Sequence, residues 1–372
     1  MTAEDTLVNK IAFASYRNIT RTTGAQLIAR GVSPDTFFER EPFSLAALTG
    51  LKPDVFSEER RRRALDEARR EASFVTEHGI KAIFFTDDGY PRRLAECEDA
   101  PAMIYTLGTA DLDACHVVAV VGTRHSTAYG LDFTSRLIKD LAESLDNVLV
   151  ISGLAYGIDY AAHTAALREG LPTAAVFAHG LNTVYPADHR QTAMRMVREG
   201  GALITEYRSC DPIHRAQFLA RNRIVAGLSD AVVVVESDRK GGAMSTAHLA
   251  MAYNREVFAL PGRVSDLYSR GCNDLIAGKG AVLVRDASDI IEACGWTPRP
   301  TVGTQQELPI EIDGDRRRII DFIRKCPDAT VNDMCSALGI PFARLSSLMF
   351  EMEMEDLLVS LPGGKYGIVA AV

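Results

Sequence analysis

VLVISGLAYGID, residues 148–159, is a short β-branched run ending in Ser-Gly, with a helix opening behind it. This is the layout by which an α/β sheet presents backbone N–H groups to an anion at a helix N-terminus. A second run, FLARNRIVAGLSD at 218–230, stands just before AVVVVES and sets Arg221 and Arg223 on either side of Asn222. Outward from these two, strand-like runs recur as VVAVVG (117–122), NVLVISG (147–153), TAAVFA (173–178), GALITEY (201–207), AVVVVE (231–236), EVFALPG (256–262) and AVLVR (281–285). Helical patterns fill the gaps at 130–145, 158–168, 189–199, 217–228 and 244–254. Near-continuous apolar strands separated by amphipathic helices predict a Rossmann-like, mostly parallel α/β sheet with helices on both faces. The two turns predict a phosphate-binding surface on it.

Either side of this block the period changes. Residues 5–55 are helical in period and broken by Gly24, Gly31, Pro34, Pro42 and Gly50, which predicts a small bundle of short helices. One long helix follows at 58–78, where Arg60, Arg61, Arg62 and Arg63 sit beside Glu58, Glu59, Asp66 and Glu67. Such spacing makes i,i+4 pairs on a solvated face, a simpler reading than a nucleic-acid patch. Strands are expected in IKAIFFTDD (80–88) and at 103–107. TPRPTVGTQQELPIEIDG (297–314) reads as a linker. Helices at 315–325, 330–337 and 342–353, then LLVSLPGGKYGIV (357–369) as two strands about a Pro-Gly-Gly turn, follow the order of a winged helix. The predicted domains are therefore helical 1–56, sheet 57–296, linker 297–314 and winged-helix-like 315–372.

At 372 residues the chain is long enough for two or three domains. No apolar stretch reaches the roughly 18–20 residues of a membrane span, so none is expected. The start, MTAEDTLVNK, lacks the basic-then-apolar order of a secretory signal. Seven cysteines without a Cys-x-x-Cys favour reduced, mostly buried thiols in a cytoplasmic protein over a zinc site or disulfide framework. No cofactor is expected. A net charge of −8 counts against wholesale coating of nucleic acid but not against a local basic pocket, because screening confines charge effects to about 8–10 Å.

Four motifs carry the candidate chemistry. Arg124 follows the strand ending at Gly122, at the carboxyl edge where ligands of open α/β sheets bind. There is no G-x-G-x-x-G behind that strand, so a dinucleotide fingerprint is absent. In SGLAYGID, Gly153 permits the tight turn, Ser152 can cap it, and Gly157 lets the next helix pack close. Asp159 and His163 could form an acid/base pair, although a capping Asp and a packed His are commoner. HRAQFLARNRI (214–224) surrounds Phe218 with Arg215, Arg221 and Arg223, and optionally His214. Guanidinium groups that track phosphates beside an aromatic face that stacks a base suit single-stranded nucleic acid. A core role is the plainer alternative for Phe218. Lys240, Gly241 and Gly242 form a glycine loop before Ser245 and Thr246, a further N-terminal anion site without P-loop order. Cys272 reads as part of a packed turn rather than as a nucleophile.

Taken in order, VAVVGTR, SGLAYGID, GLNTVYP, the Glu206–Tyr207 pair, F-x-x-RNRI-x-x-GLS, REVFALPG and SRGCNDLI resemble the DNA-processing protein A family, also called Smf. The likeness is dense from 117 to about 285, and looser over the flanking helical and winged-helix-like pieces. It implies a non-enzymatic protein that binds single-stranded DNA, forms a homodimer and loads a RecA-type recombinase during natural transformation. Its DNA pocket maps onto Arg124, Arg215, Phe218, Arg221, Asn222, Arg223 and the loop Lys240, Gly241 and Gly242, to which the turn residues Ser152 and Gly153 are added. Two departures stand out. Leu219 and Ala220 occupy a segment that more often has a proline after the phenylalanine, and Gly-Gly-Ala replaces a commoner Ser-Gly-Ser. The alternative is a Rossmann-like nucleoside-monophosphate phosphoribohydrolase, but Ala247, His248 and Leu249 follow Thr246 where that chemistry needs a carboxylate. A duplex-reading regulator is a third class, disfavoured by Glu351, Glu353 and Glu355 in the stretch 342–356 that would be its recognition helix.

Overall fold

Capping residues set the first turns of the chain. In the computed structural model, which describes residues 2–299, 314–326, 329–355, 357–361 and 365–368, Thr2 and Asp5 form a capping box that starts α1 (Ala3–Ala14). Thr20 caps α2 (Arg21–Ala29), and Ser33 caps α3 (Pro34–Phe37) with proline in its first turn. Next come α4 (Pro42–Thr49) and the long α5 (Glu58–Glu77). Phe13 and Phe37 meet edge to face at 5.1 Å, and Tyr16 and Phe56 close the same cluster. That cluster also takes in Phe84, Met103 and Tyr105. These belong to β1 (Lys81–Phe84) and β2 (Met103–Gly108), with the short α6 (Arg92–Ala95) between. Helical region and sheet therefore share one core, and both lie in the first of two compact units, Met1–Arg299.

The alternating block folds as its period demands. In chain order it comprises β3 (His116–Val121), α7 (Ala128–Ser144), β4 (Val148–Ser152), α8 (Ile158–Arg168), β5 (Thr173–Val176), α9 (Arg190–Arg198) and β6 (Ala202–Thr205). Then follow α10 (Arg215–Ala220), α11 (Asn222–Leu228), β7 (Ala231–Val234), α12 (Gly242–Ala252), β8 (Glu256–Ala259), α13 (Arg270–Ala277), β9 (Val282–Leu283) and α14 (Ala287–Ala293). One nine-stranded sheet results, in the order β1-β2-β6-β5-β4-β3-β7-β8-β9. From β6 to β9 every pairing is parallel, with Val118 opposite Val150 and Ala119 opposite Val232. The exception is one edge, where β2 runs antiparallel to β6 and β1 antiparallel to β2. Period-two alternation splits β3 between two cores: Val117, Ala119 and Val121 face one side, Val118 and Val120 the other. Both faces are covered, as a parallel sheet requires.

Several expectations change. The helix expected over 217–228 is two helices that part at Arg221. AVLVR shrinks to a two-residue strand, the packed turn expected around Cys272 is the helix α13, and α13 and α14 cover the sheet beside that strand. Only Cys97 and Cys272 of the seven cysteines are buried; Cys115, Cys210 and Cys326 are exposed and all seven are free thiols. The thiols are thus not mostly buried, because scattered cysteines mark chain positions, not faces. On α5 the i,i+4 pair Arg63–Glu67 forms as expected, whereas Arg61 turns inward to the Phe38 and Arg40 carbonyls. Among the described residues no helix is long and apolar enough to cross a membrane.

The second unit lies within Pro300–Val372. It contains α15 (Gly314–Lys325), α16 (Val331–Leu338), α17 (Phe342–Met354) and the antiparallel hairpin β10 (Leu358–Leu361) and β11 (Lys365–Ile368). Ile319, Ile323, Met334, Leu345, Met349 and Leu358 form its core. Residues 300–313 of the expected linker and 362–364 of the expected turn lie outside the described residues.

Candidate nucleic-acid interface

The chain lays β3 to β6 outward in one direction, then crosses back to place β7 on the other side of β3. At such a switch point the loops leaving the two central strands diverge and open a crevice at the carboxyl edge. A cavity of about 1340 Å³ lies there, lined by the loops after β3, β4 and β7 and by α10, α11 and α12. That exceeds the roughly 300–1,000 Å³ of pockets for small ligands.

Its floor is built by close approach. Thr123 N–H donates to the Glu236 carbonyl at 2.6 Å, while the Glu236 carboxylate accepts from Thr127 N–H and Oγ1 at 2.9 and 2.6 Å. The loop carrying Arg124 is thereby pinned to the end of β7. Gly157, at φ +76°, passes against the backbone of Thr123 and Arg124. Asp159, in the first turn of α8, accepts from Gly153 and Ala155 N–H at 3.1 and 3.4 Å. His163 is fully buried and bonds Thr173, not Asp159. The possible acid/base pair does not form: Asp159 ties the turn before α8 and caps no helix, and His163 is packed.

The candidate residues separate into those that line the cavity and those that do not. Arg124, Arg215, Phe218, Asn222, Lys240, Gly241 and Gly242 all line it. Arg124, Arg215 and Lys240 are exposed and have no ion-pair partner among the described residues. Phe218 is half-buried, its ring edge to face with Tyr185 at 5.6 Å. It is not a core residue. Asn222 Nδ2 donates to the Gly242 carbonyl at 3.2 Å, tying the start of α11 to that of α12.

Arg221 also lines the cavity but is only 6 % exposed. Its guanidinium donates to the Val176 carbonyl, and its Nε has no partner among the described residues. Burial pulls its pKa below the usual arginine value, against the opposing pull of Asp159. Gly153 makes room for it, since a Cβ there would fall 2.5 Å from the guanidinium carbon. So Gly153 serves the Arg221 side chain as much as the turn.

Two expected residues lie elsewhere. Ser152 is fully buried and its Oγ donates to the Val120 carbonyl at 2.6 Å, so it ties two strands together and caps nothing. Arg223 turns away to pair with Glu206 and to donate to the Asp99 carbonyl. Arg221 stands at the break between α10 and α11 and Arg223 in the first turn of α11, so the two side chains leave in different directions. Sequence reasoning missed Tyr185, although it stands in the quoted GLNTVYP, and missed His125 and Tyr268, which also line the cavity. Cys272 is buried in α13 and burial pushes its thiol up to about 12, as suits a packed residue.

A family model described as DNA recombination-mediator protein A matches residues 81–295. A Mycobacterium tuberculosis protein named putative DNA processing protein DprA is 40% identical over 316 residues, covering 80% of this chain and 79% of its own. DNA processing protein DprA of Streptococcus pneumoniae is 36% identical over 248 residues, 66% of this chain and 84% of its own. The X-ray structure of the pneumococcal protein superposes with a TM-score of 0.65 at 31% identity, covering 78% of this chain and 98% of that one. A Helicobacter pylori DNA processing protein A, whose structural description concerns a single-stranded DNA binding mode, gives 0.51 at 29% identity over 57% and 94% of the two chains.

Proposed function

This chain belongs to the DNA recombination-mediator protein A family, and from that premise we propose that its switch-point cavity holds single-stranded DNA. Its role is DNA processing, and the family is one of DNA-processing proteins rather than of enzymes. The observation that carries the single-strand reading is the trio Arg124, Arg215 and Lys240, without carboxylate partners among the described residues, set around the Phe218–Tyr185 aromatic pair. Free cations attract phosphates, and an aromatic face takes an unpaired base. The H. pylori relative's single-strand binding mode agrees with it.

The remaining parts of the reading have narrower support. Loading of a RecA-type recombinase in natural transformation, in the cytoplasm, rests on kinship. A homodimer has a physical candidate: β9 is one of the two outer strands of the sheet, pairs among the described residues with β8 alone, and exposes Val282 at 46% and Leu283 at 39%. An uncovered edge of that kind is a template for pairing. For the winged-helix-like unit, α17 exposes Phe342, Phe350 and Met354, while Glu351 and Glu355 pair with Arg316. That face suits a protein partner better than duplex phosphates.

Oligonucleotide titration at two salt concentrations tests the central claim. Single strands should bind better than duplex of equal length, with a log–log salt slope of about 0.7 per phosphate neutralised. Arg124→Ala, Arg215→Ala and Lys240→Ala should each weaken binding and lower that slope by about 0.7 with melting unchanged, because all three are exposed. Equal affinity for duplex and single strand, or no salt dependence, would sink the proposal. Phe218→Ala should cost about 1–3 kcal/mol of DNA affinity and little stability. A loss of about 3–5 kcal/mol of folding free energy would instead mark it as core.

A further inference from the structure

We infer that Tyr268, with His125, forms a second base-stacking platform in the same cavity, on the far side of the sheet's switch point from Phe218 and Tyr185. The inference rests on the single-strand reading and adds to it where the strand is held. The two rings lie nearly parallel, at 24° and with centroids 6.2 Å apart. Both line the cavity, His125 from the loop after β3 and Tyr268 from the loop after β8.

Tyr268 is held in place through its backbone, not by its ring. Its carbonyl accepts from Ser237 N–H at 2.6 Å, which fixes it beside the Lys240 loop. Upstream, Asn273 brackets Gly262, its Oδ1 accepting from Gly262 N–H at 3.2 Å and its Nδ2 donating to the Gly262 carbonyl at 3.0 Å. Tyr129 adds a third tie, its hydroxyl donating to the Pro261 carbonyl at 2.9 Å. The loop is thus pinned at both ends by hydrogen bonds that do not involve the Tyr268 ring. Its ring is half-buried, and its hydroxyl makes no hydrogen bond among the described residues. A fixed, partly open aromatic face with an idle hydroxyl, beside the unpaired Lys240, has the character of a stacking surface.

Sheet topology gives the separation. Tyr185 leaves the end of β5 and Tyr268 the end of β8, with β4, β3 and β7 between. Four inter-strand gaps of about 4.7–4.9 Å make roughly 19 Å. At a stacked rise of about 3.4 Å per nucleotide that is about five or six nucleotides, fewer if the strand is extended. Arg124 and Lys240 stand on the loops between the two platforms, where the intervening phosphates would pass.

The test uses the full chain and a twelve-residue oligothymidylate. Tyr268→Leu should weaken binding by roughly 5- to 150-fold with an unchanged melting temperature, and Tyr268→Phe should keep wild-type affinity within about twofold. In the wild-type protein, the same oligonucleotide carrying 5-iodouracil should photo-crosslink at Tyr268 or His125 as well as at Phe218 or Tyr185. That measurement stands even if the leucine variant fails to fold. Crosslinks confined to Phe218 and Tyr185, with Tyr268→Leu binding as tightly as wild type, would overturn the second platform and leave the single-strand reading intact. Loss of binding in Tyr268→Phe equal to that in Tyr268→Leu would also overturn it, since the ring would then not be the contact. Should Phe218→Ala bind as wild type too, with no preference for single strands, the underlying reading fails together with the inference.

Discussion

Between pH 7 and pH 5 the protein should lose about 2 kcal/mol of folding stability through His163 alone, and the His163→Gln variant should lack that part of the loss. His163 is fully buried on α8. The Thr173 hydroxyl donates to the Val150 carbonyl at 2.9 Å, so it accepts from His163 Nδ1–H at 2.7 Å. Nε2 is then the unprotonated nitrogen and has no partner among the described residues. Protonating it would place a charge in a fully buried site under repulsion from the Arg221 guanidinium. Burial first, then Arg221 and His189, lower the pKa from 6.5 to about 3. In the unfolded chain the same imidazole titrates near its ordinary 6.5.

Between those two values the unfolded state binds the extra proton and the folded state does not, so stability rises with pH throughout the window. Descending from pH 6.5 toward 3, the loss approaches about 1.4 kcal/mol per unit and about 4–5 kcal/mol in all. His179, also lowered by burial, adds in the same direction. Asp159 works against both: burial raises its pKa, so the folded state takes up a proton more readily and gains toward acid. Urea denaturation of wild type and His163→Gln at pH 7 and pH 5 isolates the histidine. An identical pH shift in the two proteins would show that His163 is not held neutral.

The same neighbourhood shows what a sequence can and cannot reveal. Alternating β-branched runs and amphipathic stretches disclosed the central sheet because period two and period 3.6 are written in consecutive residues. The carboxyl-edge position of Arg124 followed from strand ends alone. Direction within a short helix did not. Arg221 and Arg223 look equivalent in RNR, yet one enters a buried niche beside Gly153 and the other pairs with Glu206. The break between α10 and α11 at Arg221 decides this, and no glycine or proline marks it. Ser152 and Gly153 are adjacent as well, but a strand sends alternate residues to opposite faces, and Ser152 is still strand. Tyr185 and Tyr268 were hidden for another reason. Both sit in loops with no period, and only the packed sheet brings residues more than 80 positions apart to one cavity. The antiparallel β1–β2 edge was equally silent, since an apolar strand carries no sign of its direction.

Gly157→Ala should cost roughly 2–6 kcal/mol and weaken DNA binding in whatever fraction stays folded. At φ +76° and ψ −125° the residue occupies a conformation that side chains other than glycine's strain to adopt, which costs about 1–3 kcal/mol. A Cβ would also collide with the Thr123 carbonyl oxygen and lie 2.9 Å from Arg124 Cα and C. These are backbone atoms, so no rotamer change relieves the overlap, and over-packing of this kind costs a further 1–3 kcal/mol or so. Relief by movement is blocked on both sides. Thr123 is held by its bond to the Glu236 carbonyl, while Gly157 begins α8, whose Ile158 packs in the core and whose Asp159 bonds back to Gly153. Whatever gives way therefore shifts Arg124, and with it one of the exposed cations that line the cavity. Melting and oligonucleotide titration on one variant distinguish the two losses. A Gly157→Ala protein within about 0.5 kcal/mol of wild type in stability would show that the α8 turn does not press on the Arg124 loop, and the floor of the cavity would have to be drawn differently.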